Sequence, residues 1–75
     1  MNSNDLRVQK TVENIYRAFY ELIDEKDYSE IAVRGLSERA RINKKTFCWH
    51  YSSLDNLLTE IYRKISDEFI GKILN

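Results

Sequence analysis

Three residues, Arg41-Ile42-Asn43, stand between two short stretches of helical periodicity, and that spacing limits the fold more than anything else in the chain. Upstream, Val33, Leu36 and Ala40 fall on one helical face. Downstream, Phe47 and Tyr51 lie four apart on one face, behind Asn43, a residue type that caps helix starts. Two short helices joined by three residues have no room for a long-armed hairpin. They fit the tight helix-turn-helix. The chain holds no Pro and two Gly, Gly35 and Gly71, a poor supply of turn chemistry for a β-protein. Its 75 residues make one small domain.

Flanking patterns complete an all-α reading. Val8, Val12, Ile15, Phe19, Leu22 and Ile23 recur at steps that mark an amphipathic helix, with Asn4 or Asp5 as cap and an end near Glu25 or Lys26. The second helix should start near Ala32, which offers no side-chain cap. Ser52 or Ser53 can cap a fourth helix with Asp55 in its first turn. Leu54, Leu57, Leu58, Ile61 and Ile65 supply its inner stripe, and the pattern runs on through Phe69, Ile70, Ile73 and Leu74. At 1.5 Å per residue that helix is roughly 31 Å long, more than a three-helix head needs. The expected architecture is a homeodomain-like three-helix head over residues 1–53 with a connecting helix over 54–75. The last turns of that helix call for cover from another domain or another copy of the chain.

Charge is unevenly placed. The formal net charge is +0, yet residues 34–45 hold Arg34, Arg39, Arg41, Lys44 and Lys45 against Glu38 alone, a net +4 that leaves −4 for the remainder. Lys44 and Lys45 follow the cap Asn43, where the positive end of the helix dipole disfavours cations by a few tenths of a kcal/mol. That penalty changes sign if the helix start meets phosphates. In a helix-turn-helix the second helix enters the DNA major groove with its first residues at base edges and phosphates. A locally unfavourable choice of this kind often marks a functional site.

The segment "LSERARINKKTFCWHYSSLDNLL", residues 36–58, resembles the DNA-reading segment of the TetR/AcrR-type transcriptional regulators. Those read as an apolar-rich helix, Ala-Gly, a Val-Ser-Lys turn, Thr-Leu-Tyr, two residues, Phe, then a Lys-containing cap before a Leu-Leu pair. The similarity covers residues from about 10 to 62, by pattern in the first helix and by motif over 36–58. It implies that Arg34 touches phosphate or a base, and that Asn43 takes the cap position. Lys44 and Lys45 would reach bases or backbone, and Thr46 a phosphate or a thymine methyl. Trp49 and His50 would face the groove and phosphates, with Phe47 and Tyr51 in the core.

Four positions depart from the family pattern. Cys48 stands where a Tyr usually donates to phosphate and is a far weaker donor. Leu54 replaces a frequent Lys. Ala32 replaces a Thr cap worth about 0.5–2 kcal/mol. Arg41 replaces the turn Gly, which brings strain of about 1 kcal/mol if the position needs positive φ. Contacts should therefore shift toward Arg34, Arg41, Lys44 and Lys45.

The resemblance further implies a repressor that binds a near-palindromic operator in double-stranded DNA. It would dimerise through a C-terminal domain, absent from this sequence, that also takes a small-molecule effector. The rival reading is a helical protein-interaction module whose basic patch meets an acidic partner. One Cys and one His cannot make a four-ligand zinc site. No residues place a nucleophile and an orienting group around His50, so neither an enzyme nor a cofactor is indicated. Trp49 is either a groove contact, the favoured reading, or a lid over the core edge. The five Tyr fit core and rim positions. Cys48 alone forms no internal disulfide, the first residues hold no apolar h-region, no window approaches the roughly 18 apolar residues of a membrane span, and a reducing cytoplasm is the expected compartment.

Overall fold

The computed structural model describes residues 2–74, with side chains described over 6–72. Four helices follow one another: α1 over Asn2–Glu25, α2 over Val33–Ala40, α3 over Lys44–His50 and α4 over Leu54–Leu74. A single 3-10 turn, Tyr28–Glu30, bridges α1 and α2. There is no strand among the described residues, and the fold is all-α as the periodicity requires.

The ends of α2, α3 and α4 follow from cap chemistry. Ala32, extended at φ −117° and ψ 153°, precedes α2 without a side-chain cap. At its far end Arg41 adopts φ 62° and ψ 40°, the left-handed region, so the strain anticipated for a non-glycine residue there is present. The Arg41 N–H donates to Glu38 O at 3.1 Å and Ile42 N–H to Ser37 O at 3.0 Å. That pair of bonds is a Schellman closure, and half-buried Ile42 packs against the core beside it. Asn43 Oδ1 accepts from Thr46 N at 2.8 Å and caps α3. Ser53, rather than Ser52, caps α4: its Oγ accepts from Asn56 N at 3.1 Å. Helix α1 starts earlier than the cap signals suggest. Asn4 and Asp5 lie within it, and their side chains fall outside the described residues, as do those of Ile73 and Leu74.

The core gathers Ile15, Phe19 and Leu22 of α1, Leu36 and Ala40 of α2, Phe47 of α3, and Leu57 and Ile61 of α4, closed by Ile31 and Tyr51 from the connections. Fully burying each large side chain contributes roughly 1.5–3 kcal/mol. Small Ala40 at 0% exposure lets α2 and α3 approach. Two members of the expected α1 stripe are corrected. Val8 lies a helical turn or more ahead of the head and is 40% exposed, and Ile23 points past the core beside Leu22 at 44%. On α4, Leu57 and Ile61 are buried but Leu58 and Ile65 are exposed, as are Tyr62, Phe69 and Ile70. The helix leaves the head after its second turn. The radius of gyration of 13.5 Å exceeds the roughly 11 Å of a compact chain this size, consistent with projecting helices.

Polar ties at the rim fix how the helices sit. Arg39 donates to Glu25 at 2.6 and 2.8 Å and to Glu21 at 3.3 Å, joining α2 to α1. Those bonds hold the Glu25 carboxyl below the usual carboxylate range. Arg39, counted among the basic run, is therefore spent on the scaffold. Glu60 of α4 accepts from both Tyr16 of α1 and Tyr51 at the end of α3, and Asp55 accepts from Tyr28. Burial, reinforced by those carboxylates, pushes the Tyr16 and Tyr28 phenols up to about 12 and raises Tyr51 as well. Ser37 Oγ is buried with no hydrogen-bond partner among the described residues.

Candidate nucleic-acid interface

Helix α3 is seven residues long, and its two faces differ sharply. Phe47, fully buried, is the anchor, and its ring lies 5.6 Å from that of Tyr51. With that side fixed, Lys44, Lys45, Cys48 and Trp49 project outward and are exposed, Trp49 at 78%. Trp49 is thus no lid over the core. Its ring meets the His50 ring edge-on at 5.2 Å, and His50 in turn lies 6.3 Å from the Tyr51 ring, so an aromatic file connects the outer face to the core.

The N-terminal half of α1 runs beside α3, and a groove of about 620 Å³ opens between them. Arg7, Val8 and Thr11 form the α1 wall; Asn43, Lys45, Thr46, Trp49 and His50 form the other. Among the described residues no carboxylate lines it, and Arg7 and Lys45 are the formal charges of that lining. Five of the eight residues expected at the site, from Asn43 to His50, meet here. Lys44 is exposed on α3 outside the lining, and Arg41 is exposed in the turn. Arg34 is separate, 3.6 Å from Glu38 in an exposed i,i+4 pair. Such pairs are worth about 0–1 kcal/mol and release the guanidinium readily to a stronger anion.

Thr46 is more constrained than the motif suggested. Its hydroxyl donates to Asn43 Oδ1 at 3.1 Å, so its oxygen is left as an acceptor and its methyl as an apolar contact. Asn43 Oδ1 is occupied twice, which leaves its amide N–H₂ as the group for an incoming partner.

Sequence reasoning missed Arg7 and Thr11, and it assigned Val8 to the core. The one hint in the sequence is that Val8 stands between Arg7 and Lys10 at the end of the stripe farthest from the head, which marks it as exposed but does not tie it to α3. Among the described residues no three His, Cys, Asp or Glu side chains come together to hold a metal, and no helix is long and apolar enough to cross a membrane.

The chain is similar to an uncharacterized HTH-type transcriptional regulator of Bacillus subtilis (strain 168), YxbF, with 31% identity over 70 residues. That match takes in 92% of this chain and 18% of the relative, so the chain spans under a fifth of that protein's length. The helix-turn-helix of α2 and α3 lies inside the shared region. No family model matches the chain, and no solved structure does so.

Proposed function

We propose that the chain is the DNA-binding head of a TetR/AcrR-type transcriptional regulator, acting in the cytoplasm as a repressor. The observation that carries this reading is the two-faced α3. Its Phe47 is locked in the core, its Lys44, Lys45 and Trp49 stand free, and a three-residue turn ties it to α2. A rod of this kind fits the major groove, about 12 Å wide. The likeness to a regulator named HTH-type supports the same reading.

In this account Lys44 and Lys45 reach base edges and phosphates, and Arg34 and Arg41 hold the backbone on either side. The Asn43 amide and the Thr46 methyl meet the groove floor, and Trp49 and His50 its wall. Residues 1–53 act as the head and 54–75 as the connecting helix toward a ligand-binding and dimerisation domain. Exposed Ile65, Phe69 and Ile70 on α4 give that helix an apolar face for such a partner. Two heads in a homodimer would enter successive major grooves roughly 34 Å apart on a near-palindromic operator.

Titration of a labelled duplex at two salt concentrations tests the reading. Binding should weaken with salt at a log–log slope of about −0.9 per neutralised phosphate. Absence of binding even at roughly 50 mM salt would contradict it and favour a module for acidic protein partners.

A further inference from the structure

We infer that the groove between α1 and α3 seats one sugar–phosphate unit of the DNA strand, with the phosphate held by Arg7 and Thr11 and the deoxyribose packed on Val8 and Trp49. This rests on the DNA-binding reading and adds a second contact element to it.

A helix with its side chains is about 10–12 Å across and the major groove about 12 Å. Helix α3 therefore fills the groove, and whatever flanks it meets strand backbone rather than bases. The α1 wall is that flank, since Arg7, Val8 and Thr11 face Lys45, Thr46 and Trp49 across the cavity.

The chemistry of the walls agrees. A planar guanidinium matches the two non-bridging phosphate oxygens at once, and a threonine hydroxyl can donate a further hydrogen bond to one of them. Val8 and Trp49 are apolar and exposed at 40% and 78%, which is unfavourable in water and suits the non-ionic sugar. Among the described residues of the lining there is no carboxylate to oppose an anion. The volume is that of a small-molecule pocket, about 300–1,000 Å³, but a wall as exposed as Trp49 encloses nothing by itself. A strand lying along it supplies the missing side.

The test uses the whole chain and a short duplex of mixed sequence, because a backbone contact needs no particular operator. Arg7→Ala should lower affinity roughly tenfold at low salt and reduce the salt slope by about 0.9, one phosphate. Arg7→Lys should restore most of the slope. Emission from Trp49, the single tryptophan, should shift to shorter wavelength when duplex is added to the wild type. Arg7 is exposed, so the thermal melt should not change. Wild-type affinity and slope in Arg7→Ala would overturn the seat. If Lys45→Ala still weakened binding, the DNA-binding reading would survive that result; no duplex binding by the wild type would remove both.

Discussion

The Tyr51 hydroxyl donates to Glu60 Oε2 at 2.7 Å, across the corner between the end of α3 and the second turn of α4. The same carboxylate oxygen accepts from Tyr16 of α1. One exposed acid therefore joins three helices, and any displacement of α4 is felt at the base of α3 through it.

Glu60→Ala should destabilise the domain by about 1–2 kcal/mol. Two phenols lose a charged acceptor, but the acceptor itself faces water, so the effect stays in the lower part of the range for such bonds. For a domain of this size that is a fall in melting temperature of roughly 4–8 °C per kcal/mol. An unchanged melt would show that the corner is held by Phe47 and Leu57 alone.

Burial of Tyr16 and Tyr28, reinforced by their carboxylate partners Glu60 and Asp55, gives an alkaline limit. Tyr16 and Tyr28 ionise near 12 in the fold, against about 10 in the unfolded chain. The unfolded state releases these protons first, so the stabilisation is complete below about pH 10 and is lost as pH rises from about 10 to about 12. Denaturant melts across that window should show falling stability, with tyrosinate absorbance lagging behind that of free tyrosine. A flat profile would contradict the assigned bonds.

Arg41→Gly separates strain from contact. At φ 62° a glycine relieves the left-handed penalty and loses part of the gain to a freer unfolded chain, for a net stabilisation of about 0.5–1 kcal/mol. Thermal melting reads it directly. A less stable variant would mean that the Arg41 side chain contributes more than its backbone costs.

Ser37→Ala should be neutral or stabilising by up to about 1 kcal/mol, because it removes a buried hydroxyl with no hydrogen-bond partner among the described residues. Phe47→Ala should cost roughly 3–5 kcal/mol and leave little folded domain. A cooperative melt at the wild-type temperature would remove Phe47 from the core.

The boundaries of α2, α3 and α4, the three-residue turn and its strained Arg41 were legible because each rests on local chemistry: periodicity, caps and the φ demanded after a helix. The Asn43 cap and buried Ala40, Phe47 and Tyr51 are of that kind. What could not be read were relations between helices far apart in sequence. Periodicity places Val8 and Ile23 on the right stripe but does not say where the partner helix stops. Charge counting adds Arg39 to the basic run, although Glu21 and Glu25 claim it across the α1–α2 interface. The α1 wall of the groove was hidden for the same reason: nothing near Arg7 in sequence points to Trp49.

Amide chemical-shift mapping of the chain on addition of duplex DNA tests the central claim most directly. The account predicts shifts concentrated in residues 41–50 of the turn and α3, with a second group at Arg7, Val8 and Thr11, and little change along α4 beyond Ile61. Shifts centred on Ile65, Phe69 and Ile70 with α3 silent would contradict it.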